Sequence, residues 1–209
     1  MNLKFKRVLM AFIGVIITGM SVGIFQAAAL GTDPFTSFTT GVCNLTSLSF
    51  GLFYSILCAV MLVFVFIVDK HYIGIATIFN LVGNGFVADI TRSFIENTII
   101  NPGLLVRVIL LISGVVIMCF AASLYFTADL GVSVYDAVSK IMADKKIAQF
   151  RFCRIMTDLI CVTTGFVLKA SVGVGTVITA LFMGPLIQWF NVNLSEPFLY
   201  NDRKNTIEV

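Results

Sequence analysis

The sequence predicts an all-α membrane protein: six transmembrane helices arranged as two inverted three-helix repeats, each with a short half-helix after its first span. Three observations lead there. Of 209 residues, 58% are hydrophobic and 12% charged, against about 45–50% and about 25% in a soluble domain. The apolar residues come in runs that match the roughly 20 residues a helix needs to cross a bilayer. The stretch Leu30-Gly31-Thr32-Asp33-Pro34-Phe35 returns a hundred residues later as Leu130-Gly131-Val132-Ser133-Val134-Tyr135.

The first span is Val8–Ala29, preceded by Lys4, Lys6 and Arg7. Its run exceeds the roughly 7–15 residues of a signal-peptide core, and Arg107 to Gly131 repeats its pattern in mid-chain, so it is a helix of the protein. Residues 31–49 hold Asp33 and many hydroxyls (Thr32, Thr36, Ser37, Thr39, Thr40, Thr46, Ser47 and Ser49). Phe35, Phe38, Val42 and Leu45 recur at helical spacing, which gives a half-helix at or dipping into the membrane. Asp33 sits at its N-cap and Pro34 at its first position. Gly51–Val68 is the second span, followed by a turn at Asp69, Lys70 and His71. The third, Ile73–Asp89, is read as interrupted at Asn80 and Gly83-Asn84-Gly85, and Thr91–Pro102 as a polar loop.

Leu104 to Ala128 is the fourth span. Residues 131–149 form the second half-helix, with Val134, Val138, Ile141 and Met142 on one side and Lys140, Asp144, Lys145 and Lys146 on the other. That basic face is expected to lie on an anionic leaflet. Phe152–Leu168 and Val172–Phe190 are the fifth and sixth spans, the last interrupted between Thr179 and Pro185. The whole is one integral membrane domain, with repeat 1 at 7–96, repeat 2 at 107–190 and a polar cytoplasmic tail at 191–209.

The repeat holds a common register. Arg7-Val8 matches Arg107-Val108, Gly14-Val15 matches Gly114-Val115, Ala28 matches Ala128 and Phe50 matches Phe150. After a one-residue gap, Gly74 matches Gly173, Thr77 matches Thr176 and Gly85 matches Gly184. Three spans per copy is an odd number, so the second copy crosses the bilayer in the opposite sense. With both termini cytoplasmic, eleven of the fourteen basic residues fall on the cytoplasmic side, and only Arg92, Arg107 and Lys169 fall outside it. The positive-inside rule supports that orientation.

Composition also excludes. Cys43, Cys58, Cys119, Cys153 and Cys161 form no C-x-x-C pair. With His71 as the single histidine, no metal site, cofactor or catalytic triad is indicated, and the chain does not read as an enzyme. The net charge of +3 comes from residues at helix ends, a topology signal rather than a nucleic-acid surface.

Inverted repeats place transporter sites at the repeat interface, beside broken helices. The candidate pathway residues are therefore Gly31, Asp33, Gly131, Ser133 and Asp136 at the elbows, Asn80 and Asn84 in the third span and Asp158 in the fifth. Asp33 and the Ser133–Asp136 pair also fit a purely capping role. Asp158 lies one turn beyond Arg154, an i, i+4 ion pair, and acids inside spans are costly and often functional. Asn80 and Asn84 share one helix side, which suits either an interhelical hydrogen bond or a polar path. Asp89 and Asp129 read as interfacial. Gly19, Gly23 and Ala27 make a small-residue stripe for close packing, within the chain or against a partner.

The two elbow motifs, Asp136, and Gly173-Val174-Gly175-Thr176 with Gly184-Pro185-Leu186-Ile187 resemble the YczE/YitT-type bacterial integral membrane proteins over roughly residues 7–190. The resemblance implies a multi-pass protein of the bacterial cytoplasmic membrane, and brings no substrate or catalytic residue with it. The leading functional expectation is a transporter or carrier of a small molecule or ion, with the lipid bilayer as its environment and a homo-oligomer or partner subunit as possible company. Two alternatives are a substrate-binding subunit of a larger importer, docking through the small-residue stripe, and a non-transporting accessory or regulatory protein.

Overall fold

Charge-poor runs of this length satisfy their backbone only through their own hydrogen bonds once water is excluded, and the chain is correspondingly helical. The computed structural model describes residues 3–46, 48–148, 150–170 and 172–200, apart from the side chains of residues 150 and 151. Arg203, Lys204, Ser47 and the end of the tail lie outside the described residues. Among those described there are eight α-helices and no strand: α1 (Leu3–Ala28), α2 (Pro34–Cys43), α3 (Phe50–Val68), α4 (Ile75–Thr98), α5 (Leu104–Ala128), α6 (Val134–Asp144), α7 (Phe150–Val167) and α8 (Val174–Phe190). The helices follow one another in two sets of four, long, short, long, long.

Among the described residues, four segments are long and apolar enough to cross a membrane: α1, α3, α5 and the stretch Val174–Tyr200 that α8 begins. α4 and α7 are long too, at 24 and 18 residues, and each adds an exposed apolar face. On α4 this face is Ile78, Val82, Phe86, Ile90 and Phe94; on α7 it includes Phe152, Ile155, Met156 and Leu159. Large apolar side chains exposed on every long helix are the surface of a multi-pass membrane protein.

The core is built on α1. It runs antiparallel to α5, with Gly14 against Ala121 and Tyr125, Gly114 against Phe25, and the Ser21 hydroxyl donating to Gly114 O at 2.7 Å. Its other side meets α4. A Cβ on Gly19 would fall 2.8 Å from Asn84 O, and one on Gly23 would fall 2.6 Å from Ala88 O. Gly19 and Gly23 of the small-residue stripe are therefore packed within the chain, against α4.

Several expectations are corrected. The third span is not interrupted, because α4 is continuous from Ile75 to Thr98. Gly85 instead lets α3 approach, since a Cβ there would sit 2.8 Å from Gly51 Cα. The expected loop from Thr91 is helix up to Thr98, where Arg92 and Glu96 pair across one turn at 2.7 Å, and the chain leaves the helix only at Ile99, which is extended. α8 likewise passes through Pro185. The tail does not begin at residue 191: a π-helical turn at Asn191–Ser195 leads into helix through Tyr200. Two of its polar residues, Asn191 and Ser195, are spent inside the protein. Thr127 donates to Asn191, Ser195 pairs with Ser123 at 2.7 Å, and Leu199 is buried with Met10, Ala11 and Leu124. α6 buries one face, Val134, Tyr135, Asp136, Ala137, Ser139 and Ile141, within the protein, while Asp144 at its end and Lys145 and Lys146 just beyond it are exposed.

Candidate functional site

Both elbows use one device. Gly31 has φ +108° and Gly131 φ +101°, a region that residues with a Cβ avoid. The missing side chain also admits a neighbouring backbone. A Cβ on Gly31 would sit 2.7 Å from Gly173 N, and one on Gly131 would sit 2.5 Å from Gly74 N. Each elbow thereby docks on the start of a long helix in the other half. Leu30 O accepts from Gly175 N at 2.9 Å, and Leu130 O accepts from Ala76 N at 3.0 Å. Thr176 and Thr77 take the matching N-cap N–H groups of Gly173 and Gly74, at 3.3 and 3.1 Å.

Past each elbow the caps form as the spacing predicts. Asp33 Oδ1 accepts from Thr36 N at 3.1 Å, with Pro34 at the first helical position. Ser133 Oγ accepts from Asp136 N at 3.1 Å. The first turns of α2 and α6 then meet. The Phe35 ring stacks on Tyr135, 4.7 Å between centroids and 19° between planes, and stands edge-on to Tyr54 at 5.7 Å.

Two polar networks flank this stack. The neutral one is centred on Tyr54 of α3. Its hydroxyl donates to Asn80 Oδ1 at 2.9 Å and accepts from Asn84 Nδ2 at 2.9 Å, leaving the buried Asn84 Oδ1 without a partner. The interhelical hydrogen bond expected of these amides is thus present. The charged network is centred on Arg154 of α7. Its guanidinium pairs with Asp136, reaches Asp158 Oδ1 at 3.3 Å, and lies 4.5 Å from the centroid of the Tyr135 ring. Asp136 Oδ2 accepts from Tyr125 OH and from Ser133 Oγ, both at 2.7 Å. Tyr135 OH donates to Asp158 Oδ1 at 2.5 Å.

The expected Arg154–Asp158 pair is therefore one edge of a larger web. Asp33 stands within electrostatic reach of Arg154 and Asp158, and its Oδ2 is out of solvent with no hydrogen-bond partner. The contacts group two carboxyls, Asp136 and Asp158, around one guanidinium. Asp33, Ser133, Asp136 and Asp158 of the expected residues gather here, and Asn80 and Asn84 join through Tyr54 and Phe35. Gly31 and Gly131 hold the elbows without lining the cluster. Asp89 has a different role, accepting from Gly51 N at 2.7 Å and so satisfying a donor at the start of α3. Asp129 is the left-handed cap of α5, φ 51°.

Four aromatic residues of the cluster, Phe35, Tyr54, Tyr125 and Tyr135, are absent from the sequence-based candidates. One signal for two of them was available, because Phe35 and Tyr135 share the elbow offset. At the helix ends, Tyr72 donates to Asp144, and this carboxylate pushes its phenol up to about 12. Lys140 lies over the Tyr72 and Phe126 rings at 5.8 and 5.6 Å. Among the described residues, no group of three or more His, Cys, Asp and Glu side chains has metal-binding geometry.

Residues 5–192 match the family described as "Family of unknown function (DUF6198)". Two curated bacterial proteins are similar along most of their length. One, from Haemophilus influenzae and titled "Uncharacterized protein", is 26% identical over 188 residues, 90% of this chain and 84% of that protein. The other, "Uncharacterized protein YyaS" of Bacillus subtilis, is 23% identical over 195 residues, 92% of this chain and 96% of its own. None of these carries the YczE/YitT name. No solved structure matches the chain.

Proposed function

The chain belongs to DUF6198, a family of unknown function, and on the chain's own geometry we propose that it is a small-solute carrier whose path lies between two inverted repeats. The observation that carries this reading is the buried, unpartnered Asp33 Oδ2 at the start of α2, where the two half-helices meet through the Phe35–Tyr135 stack. A buried carboxylate without a compensating partner is costly. An unpartnered Asp33 carboxyl oxygen, in the same core as the Asp136–Arg154–Asp158 web, therefore favours uptake of a proton, a cation or the cationic group of a solute. Phe35 and Tyr135 form the partition between the halves, and opening the path means parting that stack. Asp158 and Asp33 are the exchange sites; Arg154 holds Asp136 and sets the balance.

In this reading α4 and α7 are spans as well, their exposed apolar stripes facing lipid and their polar sides facing the path, which gives six spans with cytoplasmic termini in a bacterial inner membrane. The paired elbows, each docked on the opposite half, support the inverted arrangement. Cysteines placed at Leu45 and Lys146, both exposed beyond a half-helix, would label from opposite faces of sealed vesicles. The carrier itself is tested in proteoliposomes against a panel of solutes, with Asp33→Asn and Asp158→Asn alongside. Neither uptake nor solute-dependent thermal stabilisation in the native chain would end the proposal. An accessory role, in which the exposed Lys145 and Lys146 dock a cytosolic partner, predicts the reverse sensitivity: charge reversal there is harmful and Asp158→Asn harmless.

A further inference from the structure

At the end of the molecule where α4 passes into α5, a cleft of about 430 Å³ opens among the C-terminal turns of α1 and α4 and the start of α5. Its polar lining is Gln26, Arg92, Glu96, Asn101 and Arg107. This volume falls within the range of small-molecule sites. Both amide atoms of Gln26 are out of solvent and without a hydrogen-bond partner. A buried amide left unpaired is unfavourable, and the cleft is the side from which a partner can reach it. Arg107 donates from Nε to Pro102 O at 3.2 Å, which ties its guanidinium to the loop end of the cleft. Arg92 donates from Nε to Glu96 at 2.7 Å, with both side chains about half exposed. A guanidinium carries five donors, and the bonds described take one from each arginine.

The charge pattern of the sequence points to the same place. On the topology proposed above, only Arg92, Arg107 and Lys169 stand apart from the cytoplasmic basic residues, and two of those three line this one cleft. A pair of arginines kept against the positive-inside bias, around an unpaired amide, calls for a local cause. The partner site in the other half is built differently: Arg7, the counterpart of Arg107, reaches Tyr200, and Phe126 replaces Gln26.

We infer that this cleft binds an oxyanion, a phosphate or carboxylate group held by Arg92 and Arg107 in the forked geometry guanidinium groups favour, with the Gln26 amide as a further donor. Glu96 is the internal competitor that holds Arg92 when the cleft is empty. The anion is either a lipid headgroup at the membrane surface or a free solute, and the test separates the two.

Inorganic phosphate is titrated against the full-length protein in neutral detergent at constant ionic strength, reading thermal unfolding. In parallel, unfolding is compared in nanodiscs of phosphatidylcholine with and without phosphatidylglycerol. An anion site predicts a saturable rise in Tm, weakened about tenfold or more in apparent affinity by Arg107→Gln or Arg92→Gln, tenfold being about 1.4 kcal/mol, and strengthened by Glu96→Gln. Stabilisation by phosphatidylglycerol that also abolishes the phosphate response assigns the site to a headgroup; a phosphate response indifferent to phosphatidylglycerol assigns it to a free anion. An arginine with a structural role alone lowers Tm without altering its dependence on anions. The inference is overturned if neither probe shifts the native protein, or if the shifts are the same in Arg92→Gln/Arg107→Gln and Glu96→Gln.

Discussion

Phe35 and Tyr135 occupy the same place in the two halves, one turn past a Leu-Gly elbow, and their rings stack on each other. Only Tyr135 carries a hydroxyl, and it donates to Asp158. The same contrast runs through their surroundings. Tyr54 in the first half stands where Arg154 stands in the second, Cys58 where Asp158 stands, Thr36 where Asp136 stands, and Phe25 where Tyr125 stands. The backbone device is shared, down to the positive φ at Gly31 and Gly131. Beside the stack, the first half joins Tyr54 to Asn80 and Asn84 by neutral hydrogen bonds, and the second joins Arg154 to Asp136 and Asp158 as ions. The lesson is that what repeats builds the fold, and what differs between the copies supplies the chemistry.

The largest effect expected from breaking this comparison is at Arg154. Arg154→Met leaves Asp136 and Asp158 buried without their cation, a loss of about 3–5 kcal/mol for a buried pair broken from one side. Denaturant unfolding in detergent would measure it, and adding Asp136→Asn should restore part of the loss. Gly31→Ala and Gly131→Ala come next. Each puts a Cβ at positive φ and against the opposite half's backbone, for about 1–3 kcal/mol from conformation alone. Because the device is shared, the two losses should agree within about 1 kcal/mol; a large effect at one elbow only would break the symmetry argument.

Tyr54→Phe removes the hydroxyl that joins Asn80 and Asn84. It should cost about 1–2 kcal/mol, well below Arg154→Met, since no ion is stranded. The smallest effect separates another matched pair. Gly85→Ala collides with Gly51, while Gly184→Ala meets nothing within 4 Å. The latter should change stability by about 1 kcal/mol or less, read as a shift in Tm beside a clear drop for Gly85→Ala.

The sequence exposed the elbows because repetition singled them out among many common residues, and because a Gly followed by Asp-Pro or Ser has a specific local meaning. The i, i+4 pair of Arg154 and Asp158 was legible for the same reason: its geometry is local. Asp136 as the second partner of Arg154 was not, since it is brought in by α6 folding back on α7. The aromatic residues around the cluster look like ordinary core within apolar runs, and their hydroxyl partners lie on other helices. At the ends of α4 and α8, polarity in the sequence suggests a break that the structure does not contain. Arg92 and Glu96 pair with each other along the helix, and Asn191 and Ser195 find partners on α5, so those polar residues continue a helix instead of ending it.

The central claim is that a path runs between the halves through the Phe35–Tyr135 partition. Cys58, fully buried one turn from Tyr54 on α3, is a natural reporter of it. In a variant that keeps Cys58 and replaces the other four cysteines with serine or alanine, a small membrane-impermeant thiol reagent would be applied to sealed proteoliposomes under native conditions. The account predicts that Cys58 is modified while the protein remains folded, and that modification slows when Asp158→Asn removes the charge beside the partition. A Cys58 that stays unmodified until the protein unfolds would contradict it.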